Sequence, residues 1–264
     1  MYAFEYIRAK SVDEALKALA RADDGLLLAG GHTLIPTLKQ RLASPTHVID
    51  IGGLKELKGI SVNGGTVSVG AGTPHGQVAN SAEVKKAIPA LADLAGHIGD
   101  PQVRNRGTIG GSIANNDPAA DYPAAVVGLG ATVHTNKREI AGDDFFTDMF
   151  ETALGEGEIV TKVTFPQPKK AAYMKFPNPA SRYAIVGVMV ADTADGVRVA
   201  VTGAGPGVFR VPEMEAALAK TWSPDAVAGI AVSADDLNAD IHASAEYRAH
   251  LITVMAKRAV AKAG

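Results

Sequence analysis

The sequence predicts an α+β fold in two domains, the larger over residues 1–168 and a smaller one over residues 169–264. Three observations carry this. The chain has 264 residues, more than one hydrophobic core usually organises. Its apolar spacing changes near residue 55, from alternating strand and helix to strands of period two, which divides the larger domain into subdomains of about 1–55 and 56–168. Pro166-Gln167-Pro168-Lys169-Lys170 then interrupts the pattern with the composition of a linker.

The elements follow in order. Phe4 to Ile7 reads as a strand, and Ser11 as the N-cap of a helix over residues 12–21, with Glu14 placed to complete a capping box. Leu26-Leu27-Leu28 reads as a strand, the Gly30-Gly31 pair as a break opening a helix over 34–42, and His47 to Ile51 as a buried strand. Ile60, Val62, Val67 and Val69 alternate about Asn63-Gly64-Gly65, the signature of a β-hairpin. Helices are expected over 77–86 and 89–95, then an irregular Gly/Pro-bearing loop over 98–107, and long ordered loops of this kind are usually functional. Strands over 132–134 and 159–165 close the larger domain. The smaller domain reads as an antiparallel sheet of strands near 173–176, 183–192 and 197–202, with helices over 212–220, 224–231 and 245–261.

Composition narrows the function. Hydrophobic residues make up 47% and charged residues 20% of the chain, the range of a soluble globular protein. The net charge is -2 and the basic residues are scattered, which argues against nucleic acid or an anionic membrane as a partner. Residues 1–25 lack the apolar core of a signal peptide and no stretch approaches an integral membrane segment, so a cytoplasmic location is expected. Cysteine is absent, which excludes disulfides, thiolate catalysis and cysteine-ligated iron–sulfur clusters within this chain.

Two glycine-rich loops are the candidate site. Ala29-Gly30-Gly31-His32-Thr33 ends a strand and opens a helix, offering residues without Cβ atoms and unpaired N–H groups, the makings of a pyrophosphate cradle. By itself such a pair is equally a plain turn. Gly107-Thr108-Ile109-Gly110-Gly111-Ser112 has the same character, with Asn115, Asn116 and Asp121 close behind. Two such loops suit a dinucleotide better than a mononucleotide. Asp117-Pro118 reads as an N-cap followed by Pro at N1.

Other motifs read as structure. Gly70-Ala71-Gly72 with Gly76 has the spacing GxGxxxG and lacks the acidic strand end of a Rossmann site. Gly203-Ala204-Gly205-Pro206-Gly207 is a turn. His32, His47, His75 and His97 have no metal-ligand spacing, and His32 fits a loop position near phosphate or a ring. Arg104 and Arg106 fit phosphate neutralisation and a structural or partner contact equally well. Trp222 precedes Ser223-Pro224 and is expected to pack in the core.

The stretches LLLAGGHTLIPTLKQRL from Leu26, DPQVRNRGTIGGSIANNDPAADYPAA from Asp100 and YMKFPNPASRYAIVGV from Tyr173 resemble the FAD-binding medium subunit of the molybdenum hydroxylases, the group that includes carbon monoxide dehydrogenase and xanthine dehydrogenase relatives. The likeness runs in order through nearly the whole chain, with Phe165-Pro166 closing the flavin domain and YRAHL from Tyr247 also similar. It implies a two-subdomain, PCMH-like FAD-binding domain. It further implies that Gly30, Gly31, His32, Thr33 and Leu34 bind the FAD diphosphate through backbone N–H groups, with Ala29 ending the strand. Thr108, Gly110, Gly111 and Ser112 would form the opposite wall, with Asn115 beside them, and Asp121 would hold the ribityl or nearby hydroxyls. Val160, in the segment starting at Glu158, would meet the isoalloxazine edge, and Lys175 and Tyr183 would approach the ring from the second domain.

The resemblance implies FAD in this chain, a large partner subunit carrying the molybdenum cofactor, and a small partner carrying two 2Fe-2S clusters, assembled as a dimer of heterotrimers. The missing cysteines agree with that division, since cluster electrons must then come from another polypeptide. Two alternatives stay open: a self-sufficient FAD-dependent oxidoreductase of the same fold, and a non-catalytic assembly module that has lost FAD. The substrate stays open among carbon monoxide, an aldehyde and an N-heterocycle, as does the terminal electron acceptor.

Overall fold

A computed structural model describes all of residues 1–264. The first subdomain comprises β1 (Glu5–Arg8), α1 (Val12–Arg21), β2 (Gly25–Leu28), α2 (Leu34–Lys39) and β3 (His47–Asp50), with the strands in a parallel sheet of order β1-β3-β2. Ser11 caps α1 by accepting the N–H of Glu14 at 3.1 Å. The reciprocal bond differs from a standard capping box, because the Glu14 carboxylate accepts the N–H of Lys10 at 2.9 Å rather than that of Ser11. Helix α2 stops at Lys39, short of the expected residue 42, and Arg41 just beyond it adopts a left-handed φ of 61° that cannot continue a helix.

The second subdomain holds β4 (Ile60–Asn63), β5 (Thr66–Gly70), α3 (His75–Asn80), α4 (Ala82–Ala87), α5 (Pro89–Gly96), α6 (Pro101–Arg106), α7 (Ile109–Asn115), α8 (Tyr122–Gly128), β6 (Thr132–Thr135), β7 (Glu139–Ala141), α9 (Gly142–Phe145), β8 (Phe146–Asp148), β9 (Glu151–Thr152) and β10 (Val160–Pro166). Five strands form an antiparallel sheet of order β4-β5-β10-β6-β7, and β8 pairs only with β9. Gly64 and Gly65 both take positive φ, 55° and 77°, as a tight hairpin turn between Asn63 and Thr66 requires.

Three expectations are corrected here. The helix expected over 77–86 is two helices, because Ser81 is extended and its hydroxyl accepts the N–H of Val84 to start α4. The loop expected over 98–107 contains α6, whose N-terminus is closed by Asp100 accepting from Val103 N at 2.9 Å. Asp117 does not cap a helix: its Oδ1 accepts from Ala119 N in a turn, and α8 begins only at Tyr122 with Pro123 in its first turn.

The C-terminal part contains β11 (Lys170–Pro177), β12 (Ala184–Thr193), β13 (Gly196–Thr202), β14 (Phe209–Arg210), α10 (Pro212–Lys220), α11 (Pro224–Ala228) and α12 (Ala245–Ala263), with an antiparallel sheet of order β11-β12-β13-β14. Its central strand β12, AIVGVMVADT, is apolar almost throughout because both its faces are covered. Val186, Val188 and Val190 point into a core closed by Ile252, Met255 and Ala256 of α12. Met189 and Ala191 point the other way, into the core shared with Leu91, Leu94 and Val126 of the second subdomain. Helix α8 lies so close to β12 that a Cβ on Gly128 would meet Met189 Cγ at 2.6 Å. Trp222 packs against the α12 side of the sheet, with the Lys170 ammonium 4.3 Å from its ring centroid. None of the helices is long and apolar enough to cross a membrane.

Candidate functional site

The subdomains and the β11–β12 turn line a cavity of about 670 Å³, within the usual range of ligand pockets. Its walls include Ala29, Gly30, Gly31, His32, Thr33 and Leu34 from the first loop. Thr108, Gly110, Gly111, Ser112 and Asn115 from the second face them, and Asp121, Val160 and Tyr183 complete the enclosure. Lys175 is the exception among the residues expected at the site. It stands behind the wall, its side chain only 5% exposed.

The two glycine loops, alike in sequence, differ in chemistry. None of the backbone N–H groups of Gly30, Gly31, His32, Thr33 and Leu34 finds a partner within the chain. A positive φ of 78° at Gly31 turns this run of donors along the cavity. In the second loop the N–H groups from Ile109 to Ser112 are all used: Ile109 N reaches Thr73 O, Gly110 N reaches Ala71 O at 2.8 Å, Gly111 N reaches Thr108 Oγ1 and Ser112 N reaches Thr108 O. The second loop is the first turn of α7, capped by Thr108.

The glycines divide their work accordingly. A Cβ on Gly110 would collide with Ala71 at 2.5 Å, so this glycine lets α7 approach the end of β5. A Cβ on Gly111 would find only Thr108 Oγ1 at 3.0 Å and, at 4.0 Å, the Ala29 methyl across the cleft. Gly111 therefore supplies the bare face opposite the free N–H groups.

Asp121 is 4% exposed yet lines the cavity. Its Oδ1 accepts the Tyr173 hydroxyl at 2.5 Å and its Oδ2 accepts Lys175 Nζ at 2.9 Å, while Nζ also donates to the His97 carbonyl. Burial pushes the Asp121 carboxyl above its ordinary range, against the pull of Lys175 and Tyr173. Tyr183, 48% exposed, stands at the cavity rim.

Two wall residues carry chemistry that their sequence context concealed. His75, without metal-ligand spacing in the sequence, is 4% exposed and packs against Tyr122 with ring centroids 5.3 Å apart and the planes tilted by 50°. Burial, with the nearby His32 and Arg104, lowers its imidazole to about 4. Glu158 accepts from Arg138 Nε (3.0 Å), Thr135 Oγ1 (2.7 Å) and Gly155 N (2.8 Å), and Arg138 above all holds its carboxyl down at about 2. Arg104 takes a structural role: its Nη1 donates to the carbonyls of Ile98 (2.9 Å) and Gly99 (3.0 Å), bracing the start of α6.

Free donors on one wall, a side-chain-free face on the other and a buried carboxylate between them suit an elongated ligand with a diphosphate and hydroxyls, and FAD meets that description. The arrangement defines a dinucleotide-holding protein. Residues 2–168 match the family described as FAD binding domain in molybdopterin dehydrogenase, and residues 171–263 match CO dehydrogenase flavoprotein C-terminal domain. The chain belongs to this family, the FAD-binding medium subunits of the molybdenum hydroxylases, and is an oxidoreductase subunit. It is 36% identical to the nicotine 6-hydroxylase medium subunit of Paenarthrobacter nicotinovorans, over 99% of this chain and 98% of that one. It is 35% identical to the carbon monoxide dehydrogenase medium chain of Hydrogenophaga pseudoflava, over 97% and 96%. Among solved structures, the reconstituted CO dehydrogenase from Oligotropha carboxidovorans superposes with a TM-score of 0.91 at 32% identity, covering 99% of this chain and 97% of that one.

Proposed function

We propose that the chain is the flavin relay of a heteromeric molybdenum hydroxylase, taking electrons from 2Fe-2S clusters in a small partner subunit and passing them to an external acceptor, while a large partner carries the molybdenum cofactor and the substrate. The observation that carries this is the run of unpaired N–H groups from Gly30 to Leu34 along the cavity. These donors hold the FAD diphosphate, Thr108, Gly110, Gly111, Ser112 and Asn115 form the facing wall, and Asp121 accepts from ribityl hydroxyls. Val160 and Tyr183 flank the ring system. Bound FAD supplies the redox chemistry, and the protein supplies position, access and electrostatics. The absence of cysteine supports placing the clusters in another chain. Relatives named for nicotine and carbon monoxide resemble this chain about equally well, which supports substrate recognition outside it.

We place the domain boundary between residues 168 and 169, in the segment joining β10 to β11, and the assembly as a dimer of heterotrimers. Purification of the chain from its native host tests the reading. The expected result is oxidised-flavin absorbance near one FAD per chain, two further subunits, and a particle mass of two copies of each. A colourless chain that takes up no added FAD overturns it.

A further inference from the structure

The Asp121 carboxylate belongs to the larger domain, yet nearly everything that fixes it comes from the smaller one. Tyr173 and Lys175 both lie on β11 and each binds one of its oxygens. The loop leading to Asp121 is itself strung onto β12 and β13. Gly203 N donates to Pro118 O at 2.8 Å, Thr202 Oγ1 to Ala120 O at 2.6 Å and Ala184 N to Ala119 O at 3.3 Å.

A glycine on the neighbouring strand keeps the space this requires. Gly187 is paired with Lys175 across β11 and β12, and a Cβ placed on it would lie 2.2 Å from the Tyr173 hydroxyl oxygen. A side chain there would overlap the hydroxyl and also crowd Thr202 Cγ2 at 2.9 Å, so the Tyr173 hydroxyl would have to move from its place on Asp121. A β-branched or aromatic residue would otherwise suit a central strand buried on both faces.

We propose that Tyr173 is a positioning residue for FAD, acting through Asp121 with Lys175 as its companion, and that Gly187 reserves the room for its hydroxyl. The inference rests on the FAD reading above. Tyr173 itself is 2% exposed and does not line the cavity, so its action on the ligand is indirect. Each Asp121 oxygen accepts one bond from β11 and keeps a further lone pair. With both oxygens pinned from behind, the carboxylate faces the cavity in one orientation, and a ligand hydroxyl meets an acceptor already in place. The β11 strand of the smaller domain thereby sets affinity at a site whose diphosphate cradle lies in the larger one.

The test is a double-mutant cycle on FAD affinity, read by flavin fluorescence on the flavin-depleted full chain. Tyr173→Phe is expected to weaken FAD binding about tenfold, the scale of one hydrogen bond to a charged group. Gly187→Ala, which displaces the hydroxyl without removing it, is expected to do the same, and it keeps the test alive should Tyr173→Phe fold poorly. On an Asp121→Ala background, Tyr173→Phe is expected to add no further loss, whereas a merely structural role would persist there. If the wild-type chain binds FAD and both Tyr173→Phe and Gly187→Ala bind it equally well, the proposal falls and the FAD reading stands. A Tyr173→Phe loss that persists in full on the Asp121→Ala background also overturns the proposal. A wild-type chain that binds no FAD overturns both.

Discussion

The carbonyl oxygen of Arg106 occupies the place where a side chain on Gly30 would begin, 2.2 Å from an ideal Cβ. The first glycine loop is thus seated against the end of α6, and Gly30 is fixed by a backbone contact rather than by the ligand.

This separates two glycines that a ligand-only view would treat alike. Gly30→Ala is expected to cost about 2 kcal/mol or more of stability, because neither backbone segment can yield without moving a loop, and to abolish FAD binding. Thermal unfolding of the flavin-free chain checks the first effect and flavin titration the second.

Gly111→Ala should behave oppositely. Its Cβ meets no backbone, only the Thr108 hydroxyl at 3.0 Å, so the helix-propensity gain of about 0.5–1 kcal/mol is offset by crowding of that cap and the flavin-free chain is expected to stay near wild-type stability. FAD affinity should nevertheless fall, because the new methyl narrows the cleft toward Ala29. A variant with wild-type FAD affinity would count against the placement of the diphosphate there.

His75 gives the fold a defined acid sensitivity. Its folded value, about 4, lies below the ordinary 6.5, so the unfolded chain binds the extra proton more readily. The contribution is therefore whole above pH 6.5 and is lost as the pH falls toward 4, amounting to about 3 kcal/mol. Unfolding of wild type and His75→Gln across this window is expected to show a steeper decline in the wild type.

Arg138 and Glu158 tie the β6–β7 turn to the cavity wall. Arg138→Gln is expected to destabilise the chain only modestly, because water reaches the half-exposed arginine and replaces part of the lost bonding. Chemical denaturation measures it.

The fold was legible where local pattern and tertiary demand coincide. The Asn63-Gly64-Gly65 turn, the apolar run of β12 and the caps at Ser11 and Ser223 are each decided by neighbouring residues. The local pattern misleads where a short-range signal serves a distant partner. Gly110 and Gly111 look like loop residues, yet they form the first turn of a helix capped by Thr108, and glycine at 110 answers to the close approach of Ala71. Ser81 divides what apolar spacing presents as one helix. At the site, the residues that form the cavity walls sit in recognisable stretches, and all but Lys175 line it. Lys175 lies on the strand the sequence predicts but faces Asp121 rather than the cavity, on the same face of β11 as Tyr173 two residues before it.

The close seating of Met189 against Gly128 bears on how such chains can evolve. A bulky residue on one side of the seam is answered by a missing side chain on the other, so the two halves constrain each other's drift. Chimaeras that graft the C-terminal half of a relative onto this N-terminal half would inherit mismatched seams unless both positions travel together. Recombination between such genes should therefore leave the pair intact far more often than it parts them.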